Sequence, residues 1–164
     1  MRWNIDKHII AVTGIIIKDG KYLITQRSLD KKAFPGKWTV PGGRLEVNDY
    51  INEKKDTHNH WYNVIEKVLQ REVSEETGLS IKNIRYLTSI TFLRGDEPTF
   101  IISMYVDYNG GEIVLNNESI NYAWVSLEES KNYDLIDGIY EEFELLDKIL
   151  KGKTATWEKN GGTL

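Results

Sequence analysis

The 164 residues contain no cysteine, which excludes disulfides, thiolate-bound zinc and a cysteine nucleophile, so any catalysis rests on other groups. Basic residues do not prevail either: 21 Lys and Arg stand against 25 Asp and Glu, a formal net charge of -4. A broad grip on nucleic-acid backbone needs a basic surface that releases counterions, so no nucleic acid polymer is expected as a partner. No stretch approaches the ~20 apolar residues of a membrane span, and Met1 to Ala11 lacks the apolar run and small residues of a signal peptide. The expectation is a cytoplasmic protein with no membrane partner. Proline is scarce, and Pro35, Pro41 and Pro98 all lie near glycine or charge, where loops are expected. With no internal repeat or low-complexity tract, the chain reads as one globular domain over residues 1–153, followed by a flexible tail at 154–164.

What is present is a strand-rich chain around one long helix. The run HIIAVTGIII (His8 to Ile17) is rich in β-branched residues, Asp19-Gly20 supplies a hairpin turn, and Lys21 to Gln26 returns as a second strand. Asp56 or Thr57 is suited to cap a helix from about His58 to Thr77, and Gly78 to end it. Strands are expected at Arg85 to Leu93, Thr99 to Tyr108, near Ile113, and at Tyr122 to Leu127. Ile139, Phe143, Leu146 and Leu150 recur at helical spacing, which predicts a terminal amphipathic helix. A mixed sheet with helices of this kind fits a layered α/β or α+β domain.

The long helix carries an anomaly. At 100° per residue, Trp61, Val64, Ile65, Val68, Leu69 and Val73 share one sector, and Glu72, Glu75 and Glu76 fall in the same sector. Lys67, Gln70, Ser74 and Thr77 occupy the other side. Carboxylates placed inward repel one another and lose hydration, so a positive partner is required. Hard oxygen ligands suit Mg²⁺ or Mn²⁺, with one glutamate free to take a proton from an attacking water. Arg71 stands where it can orient a glutamate, Glu75 being four residues on, or meet a phosphate. Read by itself, the same run also fits a solvated, charged helix end with an ordinary Arg71–Glu75 surface pair.

At Gly43, Arg71, Glu72, Glu75, Glu76 and Gly78 the sequence resembles the Nudix box, in which a glycine, five residues, a glutamate and seven more lead to R-E-hydrophobic-x-E-E-x-G-hydrophobic. The second half is complete through Leu79. KWTVPGG (Lys37 to Gly43) is similar to the strand and turn that enter the box, and LITQRS before it is typical of the family, so the resemblance covers about residues 8 to 150. Two departures stand out. Gly43 and Arg71 are twenty-eight positions apart where the family has fourteen, which marks an insertion at about residues 47–60. The family's intermediate glutamate has no clean match: counting from Gly43 gives Asp49, counting back from Arg71 gives Asn63, and Glu46 lies nearby.

The resemblance implies a Nudix-type αβα sandwich with a mixed sheet and a loop-helix-loop that binds Mg²⁺, with Mn²⁺ as an alternative. It implies hydrolysis of a diphosphate linkage in a nucleoside diphosphate derivative, a (d)NTP or another small nucleotide, as the sole expected partner class, with a homodimer left open. By residue matching, Glu75 and Glu76 are metal ligands, Glu72 is a ligand or general base, Arg71 supports catalysis, and the Gly42 carbonyl completes the site. A further acid is expected before the last strand, Glu118 first and Glu112 second. Arg27 and Trp38 are candidate substrate contacts; Trp38 and Trp61 equally suit core packing, and His58 and His60 read as surface residues.

Two rival readings follow. LITQRSLDKKAFPGKWTVPGG is similar to the coenzyme A pyrophosphatase upstream pattern, with Ile24, Lys32 and Val40 replacing its leucine, arginine and phenylalanine. The other is a non-catalytic nucleotide-binding Nudix module, for which the insertion is the best support. An isopentenyl diphosphate isomerase, which shares LITQRS and FPGKW, is excluded because it requires a cysteine.

Overall fold

The computed structural model describes residues 7–159. The β-branched run forms the long central strand β1 (Ile9–Lys18). Asp19 (φ 50°) and Gly20 (φ 74°) both adopt the left-handed conformation that a two-residue hairpin turn requires, and β2 (Lys21–Arg27) returns with Tyr22 opposite Ile17. Short strands β3 (Trp38–Thr39) and β4 (Gly42–Arg44) then pair with β2 and β1 respectively. Helix α1 (Val64–Thr77) leads to the hairpin β5 (Ile81–Arg94) and β6 (Glu97–Tyr108). Strand β6 lies parallel to β1, from Ile9 beside Thr99 to Ile17 beside Asp107, and β7 (Ser119–Val125) closes antiparallel on β2. The main path is β3-β2-β1-β6-β5, a mixed sheet.

Side-chain alternation divides the sheet into two buried faces. Val12 and Ile16 of β1 and Leu23 of β2 pack with Val68, Leu69 and Val73 of α1. Ile15, Tyr22 and Ile24 point the other way and meet the terminal helix α3 (Ile139–Leu150), which follows the short α2 (Leu127–Ser130) and buries Phe143 and Leu146 completely. Each such side chain contributes on the order of 1.5–3 kcal/mol through burial. The absence of a side chain at Gly14 matters for α1: a Cβ there would sit 3.0 Å from the Leu69 side chain, so glycine lets the helix lie close to the sheet. The result is the α+β sandwich that the sequence pattern predicts.

Several boundaries depart from expectation. Helix α1 begins at Val64, not near His58, because Asn63 takes a left-handed conformation (φ 55°) and the preceding segment folds on itself. Asp56 and Thr57 cap that loop and not the helix: the Tyr62 N–H donates to Asp56 Oδ2 and the His60 N–H to Thr57 Oγ1. Trp61 is accordingly not on the helix; its ring lies 5.2 Å from that of Tyr50 and its Nε1–H donates to the Glu53 carbonyl. Thr77, expected on the solvent side, is buried, with its hydroxyl donating to the Val73 carbonyl.

No strand forms near Ile113 among the described residues. Gly110 and Gly111 both have positive φ, and the segment after them turns its N–H groups to the end of α1, Val114 to the Thr77 carbonyl and Asn116 to the Glu76 carbonyl. Satisfying open helix carbonyls replaces a strand ladder there. Strand β7 starts earlier than expected and stops at Val125, since Ser126 and Glu129 form a reciprocal cap on α2. Of the segment read as a tail, Ala155 packs against the α3-side core and the Trp157 indole donates to the Gly138 carbonyl; residues 160–164 lie outside the described residues.

Candidate active site

The last two turns of α1 face the β4 turn. Val68, Leu69 and Val73 seat the helix in the core, and the same helical phase brings Glu72 and Glu76 over β4. Gly43 is where that approach is tightest: a Cβ would fall 2.1 Å from the Glu72 carboxyl carbon, so only a residue without a side chain fits. Gly42 meets the cluster through its backbone, which favours the ionised form of the Glu76 carboxyl. Glu118 arrives from the loop before β7. Glu72, Glu76 and Glu118 are all half-buried, and each offers an oxygen within 4.8 Å of the others.

Three carboxylates this close determine one another's protonation. Withdrawal from water and then the charges of Glu118 and Glu72 push the Glu76 carboxyl up to about 8. Burial also raises Glu72, against the pull of Arg71. Glu118 moves down, because the Lys31 ammonium is hydrogen-bonded to it. Arg71 holds the other flank, donating through Nε to Asp49 Oδ1 at 2.8 Å and through Nη1 to Glu72 at 2.8 Å and Glu75 at 3.2 Å. The donor set fits a hard divalent cation: clustered carboxylate oxygens with excess negative charge, framed by a glycine backbone that leaves room for them.

The residues singled out from sequence therefore fall into groups. Glu72, Glu76 and Glu118 converge, with Gly42 beside them. Glu75 lies outside that group of three; its side chain is 56% exposed and is held by Arg71. Glu112 is exposed, and His58 and His60 sit on the surface of the inserted loop, where His60 pairs with Thr57. Arg27 stands half-buried at a bulge in β2; burial lowers its pKa, opposed chiefly by the Glu118 charge, and its Nε donates to the Ala33 carbonyl. Trp38 packs edge-on against Tyr133 with ring centroids 4.8 Å apart, as part of the α3-side core. Two residues were not assigned from sequence. Asp49, six positions after Gly43, turns out to hold Arg71, which its spacing from the glycine hinted at. Lys31 sits in a loop remote in sequence from Glu118, and nothing in the local pattern marks it.

The mixed-sheet α+β sandwich closes paired helix carboxylates on a glycine turn, and its family and relatives make the chain a hydrolase acting on phosphorus-containing anhydrides. The chain belongs to the Nudix family: residues 7–145 match the NUDIX domain family model. It is 31% identical over 141 residues to the nucleoside triphosphatase NudI of Klebsiella pneumoniae, covering 79% of this chain and 89% of that one. The NudI of Escherichia coli K12 is 30% identical over 135 residues, covering 76% and 86%. Among solved structures, the MutT protein of Methanosarcina mazei superposes with a TM-score of 0.68 at 26% identity, over 90% of this chain and 99% of that one. The Nudix domain of Shewanella oneidensis NrtR, solved with ADP ribose, shares the fold at a TM-score of 0.68 and 16% identity, over 89% and 90%. Nudix enzymes generally use divalent metals, and the acidic cluster is the candidate site for them here.

Proposed function

We propose that this chain is a Mg²⁺-dependent pyrophosphohydrolase of nucleoside triphosphates, with Mn²⁺ able to substitute. The observation that carries the reading is the convergence of Glu72, Glu76 and Glu118 against a glycine backbone. The nucleoside triphosphatase relatives support the substrate class. Glu72, Glu76 and Glu118 are the residues that hold the ion, which when bound supplies charge neutralisation to the phosphates.

The remaining roles belong to the chain itself. Arg71, itself anchored by Asp49, fixes the Glu72 carboxylate so that it does not drift toward solvent. Arg27 lies close enough to Glu118 and Glu76 to feel their charge, a half-buried cation suited to meet a substrate phosphate. Water attacks one phosphorus of the anhydride, the P–O–P bond breaks, and the bridging oxygen leaves with the departing phosphate group. The proton from the water passes to Glu75, whose exposed carboxylate Arg71 keeps beside the cluster. Trp38, engaged with Tyr133, serves the core that backs β3.

The test is a panel of ribo- and deoxynucleoside triphosphates, ADP ribose, a dinucleoside polyphosphate and coenzyme A, each with Mg²⁺ and with EDTA. Hydrolysis of a nucleoside triphosphate ahead of the others, abolished by EDTA, is the expected result. Preferential cleavage of coenzyme A redirects the substrate assignment, and binding without cleavage of any compound defeats the enzymatic reading.

A further inference from the structure

Lys31 and Arg71 are both hydrogen-bonded to acids of the cluster, and they are held in different ways. Arg71 is locked: its fork contacts Asp49, Glu72 and Glu75 together, so it cannot leave one acid without disturbing the others. Lys31 reaches Glu118 alone, through an ammonium at the end of a flexible stem whose side chain is 31% exposed. Its base is firm. The Ser28 N–H donates to the Glu118 carbonyl at 2.9 Å, the Lys31 N–H to the Ser28 carbonyl at 3.2 Å, and Arg27 and Gln26 bond the Ala33 and Gly36 carbonyls of the same loop. The loop is therefore fixed beside Glu118, while the ammonium is held by the Glu118 carboxylate alone.

Resting on the reading of the cluster as a metal site, we infer that Lys31 is a resident counter-cation for Glu118: it competes with the incoming divalent ion for that carboxylate and, once displaced, pairs with the substrate's phosphate. The geometry supplies each part. Glu118 is both a member of the group of three and the partner of Lys31, so one carboxylate serves two cations. A divalent charge outweighs an ammonium at the same oxygens, and the displaced ammonium remains at the rim on its anchored loop. The polyanionic substrate that enters there carries the charge it has lost, and Arg27 beside it supplies a second cation. Arg71, with three acids to satisfy, has no such freedom. Lys31 thus weakens metal binding to the nucleotide-free protein and strengthens nucleotide binding to the metal-loaded one.

Opposite effects on the two ligands are a signature that a purely structural lysine does not give. Mn²⁺ titration of the nucleotide-free full chain, followed by electron paramagnetic resonance, should show Lys31→Met binding Mn²⁺ roughly two- to fivefold more tightly than wild type. Lys32→Met, at the exposed next position, should leave the affinity unchanged and so separates a specific competitor from a general charge effect. On a Glu118→Gln background the effect of Lys31→Met should vanish, since the contact is already gone. In steady-state hydrolysis of whichever nucleoside triphosphate wild type cleaves fastest, Lys31→Met should raise KM about tenfold with a smaller change in kcat. Lys31→Arg should restore most of the KM without tightening Mn²⁺. Unchanged or weaker Mn²⁺ binding in Lys31→Met, or an equal effect from Lys32→Met, overturns the competition, and an unchanged KM overturns the handover to phosphate. If wild type binds no Mn²⁺ and cleaves nothing, the metal-site reading itself fails and takes this role with it; wild type that binds and cleaves, with Lys31→Met indistinguishable from it, removes Lys31 alone.

Discussion

Arg71 Nε donates to Asp49 Oδ1 at 2.8 Å, joining two residues that are 22 positions apart in the chain, with the inserted segment between them. Asp49 lies six positions after Gly43, the spacing at which the resemblance expects the family's intermediate glutamate, and counted from that match the extra residues would be 50–63 instead of about 47–60. They form a loop of their own, tied by Trp61 to Tyr50 and to the Glu53 carbonyl.

A loop that closes on itself at both ends should be dispensable for the fold. Excising residues 50–63 brings Asp49 to the family spacing from Arg71, and the shortened chain is expected to fold, bind Mn²⁺ and hydrolyse nucleotide. Circular dichroism, thermal denaturation and the Mg²⁺ assay check this, and a chain that no longer folds shows that the insertion is structural.

Asp49 is the better-buried partner, with a side chain 10% exposed against 35% for Arg71. Asp49→Ala leaves Arg71 with Glu72 and Glu75 only. Because Arg71 is partly solvated, the loss of stability should be about 1 kcal/mol, measured by urea unfolding. Turnover should fall by a larger factor, on the order of tenfold, as the Glu72 carboxylate loses its fixed neighbour.

Gly43→Ala tests the close approach of helix and turn. A methyl group 2.1 Å from the Glu72 carboxyl carbon has to expel that carboxylate. Mn²⁺ affinity and turnover should each drop by about a hundredfold, as when an oriented ligand of a site is displaced. Crystallography of the variant should show Glu72 turned away.

Glu142 offers a test of pH dependence away from the cluster. It is 6% exposed on α3, and burial, opposed by a hydrogen bond from Ser103, pushes its carboxyl up to about 6 from an ordinary 4.5. A raised carboxyl pKa means that the folded state holds the proton more tightly than the unfolded one. Its contribution to stability is therefore present below pH 4.5 and lost as pH rises through 6, amounting to roughly 2 kcal/mol. Glu142→Gln cannot ionise, so in metal-free buffer it should gain on wild type by about that amount between pH 4.5 and 7.5. Denaturation curves across that range check it; the metal-free comparison cancels the contribution of Glu76, which has the same sign. Parallel pH profiles for the two proteins would refute the assignment.

Much of this molecule was legible in its sequence, and the exceptions have physical causes. Hairpin β1–β2 was evident from β-branched residues around Asp19-Gly20, and α3 from its apolar spacing, because each signal is local. The acidic cluster was legible as far as helical phase carries: it put Glu72 and Glu76 on the core-facing side. It also put Glu75 there, whereas Arg71 draws that side chain to the rim, a competition that periodicity does not express. Asp56 and Thr57 carry correct capping chemistry but spend it on the inserted loop, since a cap acts on whichever N–H groups the chain brings near. The expected strand at Ile113 gave way to carbonyls at the end of α1. Lys31 and Glu118 are 87 positions apart, and only the folded chain joins them.

If Glu76 is the core of a metal site that supports hydrolysis, Glu76→Gln removes that core with a nearly isosteric change. Mn²⁺ binding by electron paramagnetic resonance and Mg²⁺-dependent hydrolysis of a nucleoside triphosphate should be measured on the same preparation, beside its thermal denaturation. The prediction is Mn²⁺ binding and turnover reduced by about a hundredfold or more, with the melting temperature at or above that of metal-free wild type. A folded Glu76→Gln protein that binds Mn²⁺ and cleaves nucleotide as wild type does would show that Glu76 holds no catalytic metal.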